Sequence, residues 1–558
     1  MVRRQLLAVA LAAVAAVVVA QPGSSGRGQE GGIAQPGSSR RGQEGGIMRI
    51  SFSPDVGIVD VDPALSYSPA GWSLLDATCA RLFTHPDTPS PASYRLQPEV
   101  AATYSVSKDL KTYTFRLRNG FRFSNREPVR ASAFVHAINR VLQPIVHSPG
   151  VIYMRDIVGA SDVLAGRAKK ARGIRAPNPY TLVVRFSRPA PDFLERTTLP
   201  FFCAVPPGLP PSAEGVGKYP SAGPYYVTEY RKSDRIEIRR NPFYGGKRRV
   251  HVEGFDVDLN GGNHIELLTR LDRSEADWGY MLAGIFFEVP GVDFVKKYGR
   301  NGRFQVKPGL WLRMLAMNSA RGLFHNNPQL RRAVNFALDR RAILAEGVGG
   351  LASSQLTDQH IPHSLSGFRD APVYPFTADL ERARRLARGH LRNRKAVLVV
   401  SRKSIVAGRV IEEQLERIGL DVEVDATGDD GGAAYWERLT TPGASWDLAY
   451  GLWTPGIPDA YAYLNSLVAG RGLGGESLTR VSAKRAIAAL DRAVRLPSRG
   501  ARDRAYAEAD EKIARDVAPV AVLNVIREAT LVSDRVDPDC MVLRPALDLA
   551  VACLRKGS

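Results

Sequence analysis

A chain of 558 residues is too long for one hydrophobic core, so two to four domains are expected. With 44% hydrophobic and 24% charged residues, its composition is that of a soluble globular protein. The 76 basic and 56 acidic residues leave a net charge of +20, which raises nucleic acid or an anionic surface as a partner, but the basic residues are dispersed with no run of five and read mainly as a solvated exterior.

Residues 1–20 have the pattern of an export signal or N-terminal anchor: Arg3 and Arg4, an apolar run from Leu6 to Val19, and small residues at Val18 and Ala20. The apolar run is short for a spanning helix, and no cysteine lies nearby to accept a lipid. Residues 21–47 form a flexible linker. AQPGSSGRGQEGGI is followed by AQPGSSRRGQEGGI, a duplication too polar and Gly-rich to bury a core. The four cysteines (Cys79, Cys203, Cys540, Cys553) are far apart and fit neither a disulfide framework nor a metal knuckle, although Cys540 and Cys553 could bridge in an exported protein.

The folded part begins at Met48 with a short strand, a loop rich in Asp, Pro and Ser (60–72) and a helix over 73–83. Tyr113, Phe115 and Leu117 alternate with polar residues, as in a half-buried strand. Asn119-Gly120 predicts a hairpin turn with Phe121 and Phe123 on the returning strand, and Ser132 caps the next helix. Residues 178–189 form a strand, 221–246 a hairpin turning at Lys232–Asp234, and 264–278 a helix. Residues 311–318 are apolar on both faces, with Trp311, Leu315 and Met317 on one and Leu312, Met314 and Ala316 on the other, so this strand is buried on both sides. Asn327 and Pro328 start a helix that Gly347 stops. Leu330, Ala333, Val334, Ala337, Leu338 and Leu344 form its core face, and Arg331, Arg332, Arg340 and Arg341 turn mostly to solvent. Helices and strands then alternate to a long helix over 501–518 that breaks at Pro519 into a final strand.

These segments resemble the extracellular solute-binding proteins that serve peptide and nickel ABC importers. The resemblance rests on Asp62-Pro63-Ala64, on LQPEVAATYSVSKDLKTYTFRLRNGFRFSNREPV at 96–129, and on Ser221-Ala222-Gly223-Pro224-Tyr225 with Arg240 to Tyr244. LAMNS and LRRAVNFALDR complete it, so that it covers about 46–548. It implies an α/β, two-lobed fold of the type II periplasmic-binding-protein kind. Lobe I would span 48–308, with a subdomain inserted at about 86–200, and regain the chain at 523–558; lobe II would span 309–522. The solute would bind in the cleft between lobes, and the closed form would dock, as a monomer, on a membrane permease. The resemblance implies no reaction and no cofactor.

It also points to the loop Trp453–Ala460. Peptide-binding members carry an Asp three residues after the Trp, where it pairs with the ligand's ammonium; here that position is Gly456. Asp459 matches the second acidic residue of the pattern and is equally suited to capping the helix that carries Tyr461. The missing charge disfavours ordinary free-amino peptides and suits a blocked or modified peptide, an oligosaccharide or a metal chelate. Trp453 is an expected lining residue, with Tyr67 and Trp72 as further candidates. His360 and His363 have metal-like spacing, but the intervening Pro362 argues against a helical ligand pair, so no metal is expected. No nucleophile elbow, H-E-x-x-H or C-x-x-C is present. Gly470, Gly472 and Gly475 follow a helix rather than a strand, and GVGKY (215–219) lacks essential phosphate-loop residues. Neither catalysis nor nucleic-acid binding is expected.

Overall fold

A strand with apolar side chains on both faces must be covered on both sides, and the stretch ending in LAM is so covered. In the structure, a computed structural model, Phe304–Met317 lies inside a six-stranded mixed sheet. The order is Ser354–Leu356, Val520–Leu531, Phe304–Met317, Leu448–Trp453, Lys395–Val400, Asp421–Ala426. Leu315 and Met317 enter one core with the helices Pro328–Ala337 and Ile405–Glu416, whereas Leu312, Met314 and Ala316 enter the opposite one with Trp446 and the helix Ala460–Val468. The structure describes residues 44–557, apart from 54–59, 89–93, 282–284, 287–288, 290–291, 348–349, 429–432, 442, 470, 473–474, 477–478, 497 and 545. The signal segment, nearly all of the repeat and Gly470 therefore lie outside the described residues.

Two four-stranded sheets precede this one in the chain. Ile47–Ser51, Gly254–Asp258, Arg235–Arg240 and Tyr225–Arg231 form the first in that order, and Val532–Leu554 returns to its core. Ala101–Val106, Thr112–Leu117, Thr181–Arg185 and Ile174–Asn178 form the second, antiparallel throughout. Its core is strongly aromatic, with Tyr113, Phe115, Phe121, Phe186 and Phe193 buried together.

Several short motifs are explained by this framework. Asp62 is fully buried and takes Arg140 in a fork, Nη1 to Oδ1 at 2.6 Å and Nη2 to Oδ2 at 2.5 Å. It also accepts from the backbone of Ala64 and Val216, so the Asp62-Pro63 loop and the GVGKY segment fold around one carboxylate. A Cβ on Gly223 would lie 2.4 Å from the Thr78 carbonyl carbon, and Asn241 Nδ2 donates to the carbonyls of Ser221 and Gly223.

Other expectations are corrected. The first helix is Pro69–Thr78, capped by Ser68 rather than beginning at residue 73. Ser132 lies inside the helix Ala131–Val141, whose N-cap is Arg130 without a side-chain bond. Phe121 and Phe123 are buried, but the strand before them pairs with Ala101–Val106 and Thr181–Arg185, so Asn119-Gly120 turns the chain without making a hairpin. The helix from Asn327 is two helices, Pro328–Ala337 and Arg340–Ala345, because Leu338 is extended and the Asp339 side chain accepts from Ala342 N at 2.9 Å, which starts a new cap. Arg331 and Arg340, expected mostly in solvent, are buried. Arg331 donates to the carbonyls of Val517 and Phe324, and Arg340 to those of Val522, Asn335 and Pro375 and to Asn335 Oδ1. Unsatisfied carbonyls at the ends of neighbouring elements can hold a guanidinium as solvent would.

The cysteines are corrected too: they form two disulfides, Cys540–Cys553 and Cys79–Cys203. The second spans 124 residues, a separation that sequence spacing does not reveal. On chain entropy, breaking Cys79–Cys203 costs about 5 kcal/mol and breaking Cys540–Cys553 about 3 kcal/mol. Urea unfolding of Cys79→Ala/Cys203→Ala and Cys540→Ala/Cys553→Ala should show the larger loss in the former; equal losses would count against a native Cys79–Cys203 bridge.

Candidate functional site

The strand Leu448–Trp453 ends in a tight loop that leads into the helix Ala460–Val468. Asp459 is the N-cap of that helix, accepting from Ala462 N at 2.9 Å. Its carboxyl is pushed up to about 7 by desolvation, with the nearby Asp192 adding to the effect. The cap role, one of the two left open by the sequence, is thus occupied. Trp453 stands edge-on to Tyr463, with ring centroids 5.6 Å apart. Tyr463 Oη lies 3.0 Å from Thr454 Oγ1 and donates to the carbonyl of Leu310, tying the loop to the central strand. Tyr461 points elsewhere, towards Tyr506 at 6.4 Å.

The loop's middle, Pro455 to Ile457, packs against residues from the first part of the chain. Ile457 is fully buried in the core of the Thr112–Leu117 sheet. Tyr153, also fully buried, donates its hydroxyl to the carbonyl of Pro455 at 3.3 Å. Tyr67 Oη lies 3.5 Å from that hydroxyl, and Tyr67, Trp72, Tyr153 and Phe201 form one aromatic group with centroid separations of 5.7–6.5 Å. Trp72 is held by a bond from Nε1 to the carbonyl of Ser66, while Tyr67 remains 51% exposed. Tyr67, Trp72 and Gly456 are therefore brought together. Trp453 lies at the other end of the same loop, and Tyr461 faces away.

Gly456 has φ of +79°, and a Cβ built on it would fall 2.2 Å from Tyr153 Oη. A phenol fills the space that an aspartate would use.

Sequence reasoning missed Tyr153, Phe201 and Tyr463, which lie in no motif, and it missed the carboxyls around the loop. Glu195 Oε2 is 3.3 Å from His85 Nε2; burial raises the Glu195 carboxyl well above the usual range and the neighbouring Asp459 raises it further. Glu528 pairs in register with Lys307, across from the register shift at Pro308–Leu312. Its Oε1 is shut off from water without a hydrogen-bond partner, and burial pushes the carboxyl up to about 8. Desolvation lowers Lys307. His360 Nδ1 lies 2.6 Å from Asp510 Oδ1 and His363 packs on Phe368, so each has a structural role. Among the described residues, the one grouping with metal-ligand spacing contains Cys540 and Cys553, whose sulfurs are joined in a disulfide.

Comparison with known proteins gives a consistent picture. The family described as "Bacterial extracellular solute-binding proteins, family 5 Middle" matches residues 95–475. The oligopeptide-binding protein OppA of Bacillus subtilis (strain 168) is 27% identical over 283 residues, 49% of this chain and 50% of that protein. The chain thus spans about half the length of these curated relatives. In structure it is similar to clavulanic acid biosynthesis oligopeptide binding protein 2, with a TM-score of 0.79, 22% identity, and 92% and 96% of the two chains covered. It is also similar to AgaA in complex with agropinic acid from A. tumefaciens R10, with a TM-score of 0.69, 17% identity, and 91% and 98% covered. The fold is of the two-lobed type these proteins share.

Gly456→Asp should destabilise the fold by about 1–3 kcal/mol, through left-handed strain and the clash with Tyr153. Gly456→Asp/Tyr153→Phe, which frees the hydroxyl's space, should recover part of that loss in urea unfolding. For pH, the unfolded carboxyls of Asp459 and Glu528 titrate near 3.8 and 4.5, whereas folded they hold protons to about 7 and 8. The folded state binds more protons in that window, so their contribution is full below pH 4 and is lost as pH rises to 8. Asp459→Asn/Glu528→Gln, which keeps the helix cap, should flatten the fall of the unfolding midpoint between pH 5 and 9; an unchanged slope would rule these groups out.

Proposed function

Because the chain belongs to the bacterial extracellular solute-binding proteins of family 5, we propose that it captures a peptide-like or other small solute between two lobes and delivers it to the membrane permease of an ABC importer. Its relatives are substrate-binding proteins, not enzymes. We place lobe I at 48–308 and 523–558 and lobe II at 309–522, and we read the protein as an exported monomer. No helix among the described residues is long and apolar enough to cross a membrane.

The observation that supports this reading best is the seating of Pro455–Ile457 against Tyr153 and the aromatic group of Tyr67, Trp72 and Phe201. Segments about 300 residues apart meet there through a few side chains, as expected of a cleft that opens and closes. Trp453, Tyr67 and Trp72 offer apolar faces with polar rims to a ligand that parts these contacts. Since Tyr153 displaces any acid from position 456, the loop offers a hydroxyl and a carbonyl to a ligand end, not a carboxylate. That favours a solute lacking a free ammonium at this point, such as a blocked peptide. A non-peptide solute is the second reading, in keeping with a neighbour described with agropinic acid.

A thermal-shift comparison of free-amino peptides, N-acetylated peptides, oligosaccharides and metal chelates tests this. A ligand at a hundred times its dissociation constant stabilises the folded state by about 2.7 kcal/mol. Acetylated peptides or non-peptides should give the larger shift, and Trp453→Ala should weaken binding roughly tenfold. A strong preference for free-amino peptides would transfer the ammonium to Asp459 and Glu195 and overturn the argument from Gly456.

A further inference from the structure

A separate pocket of about 270 Å³ opens on the outer side of the six-stranded sheet's helices, away from the Trp453 loop. Three segments build it: Arg332 and Phe336 from the helix Pro328–Ala337, Arg382 from the helix Leu380–Ala387, and Glu511 with Arg515 from the end of the helix Arg499–Lys512 and the turn after it. Pro372 to Tyr374 close the remaining side.

Its charge is unbalanced. Arg382 lies over the Phe336 ring, its guanidinium carbon 4.1 Å from the centroid, which fixes the group's plane and leaves its edge open. Arg332 reaches Gln329 Oε1 at 3.3 Å, and neither arginine has an ion-pair partner among the described residues. Glu511, the acid in the lining, is shared between Arg515 and Arg369, the latter at 2.6 Å. The other nearby acids are engaged by backbone donors. Asp358 accepts from the N–H groups of Val373 and Tyr374, and Asp379 accepts from that of Arg382.

The interior behind the pocket adds to the imbalance. Arg331 and Arg340 are buried against carbonyls and an amide oxygen, with no carboxylate on either guanidinium. Asp358 lies within electrostatic reach of Arg340, so Arg331, held by carbonyls, is the buried cation matched by dipoles, and a low-dielectric wall directs its positive field outward. The Tyr374 hydroxyl donates to the carbonyl of Ala514 at 2.7 Å and lies within hydrogen-bonding reach of Arg332, which it partly engages.

We propose that this pocket binds a small oxyanion of the phosphate type, held by Arg332, Arg382 and Arg515. Guanidiniums brought to one pocket by three segments can each donate to a different oxygen of such an ion. The same chemistry is found in free inorganic phosphate and in the headgroup of an anionic phospholipid. The site is independent of the solute cleft.

The test is calorimetric titration of inorganic phosphate into the protein at constant ionic strength, beside sedimentation with phosphatidylglycerol and phosphatidylcholine vesicles. Saturable binding is expected, weakened roughly tenfold for each arginine lost in Arg332→Gln and Arg382→Gln. Arg409→Gln, an exposed arginine paired with Glu412 on another helix, should bind as the unaltered protein does. Should the double variant fail to fold, the exposed Arg382→Gln alone carries the comparison. Phosphate binding lost in the variants assigns a free anion, and selective phosphatidylglycerol binding lost in them assigns a headgroup. A response to phosphate matched by chloride, or binding that the variants retain, overturns the proposal.

Discussion

Two antiparallel strands hold the molecule together. Phe304–Met317 and Val520–Leu531 pair along most of their length, from Phe304 opposite Leu531 to Ala316 opposite Val520. At one end they share a core with Phe286, Phe294 and Ala529; at the other they enter the two cores of the six-stranded sheet. Between these ends the register shifts at Pro308–Leu312, where a Cβ on Gly309 would meet the carbonyl of Ile526 at 2.4 Å. Such a break in register bends the strand pair locally and increases its twist. Lys307 and Glu528 face one another beside that break, and the carboxyl oxygen there has no partner.

The loop after Trp453 depends on this arrangement. Tyr463 binds the carbonyl of Leu310, at the break itself, while Ile457 lies in the aromatic core built by the first part of the chain. A shift of the strand pair would move the loop against Tyr153 and Phe201. Fully burying one Ile side chain contributes roughly 1.5–3 kcal/mol, an amount a ligand can readily offset. The carboxyls around this loop and strand pair, Asp459, Glu195 and Glu528, are all raised first by desolvation, so their protonation is linked to the packing that buries them.

Some of this was legible in the residues. The two faces of 311–318, the break at Pro519 and the turn near Ser233 follow from local side-chain pattern and backbone preference, and they hold in the structure. Asp62 and Asn241 were visible as motif residues, though only the fold shows that one organises a loop around Arg140 and the other bonds two carbonyls of a neighbouring turn. The buried Arg331 and Arg340 were misread. Helical periodicity ranks a guanidinium as polar and cannot know that carbonyls at the ends of other elements wait for it. The Cys79–Cys203 bridge was missed for a related reason, since spacing in sequence is silent about partners 124 residues away.

At the candidate site the division is clearest. The sequence by itself determined that a Trp-led loop carries Gly456 and ends at an Asp suited to capping a helix, and that the chain has the order of elements of a solute-binding protein. Those properties live in neighbouring residues, where propensity, capping and chain order act. The tertiary structure alone decided what stands beside Gly456: the hydroxyl of Tyr153, some 300 positions earlier, occupies the space a side chain there would take. It also decided which carboxyls lose their water and which arginines remain without a carboxylate, because desolvation and pairing are set by what packs alongside, and that is not written in local order.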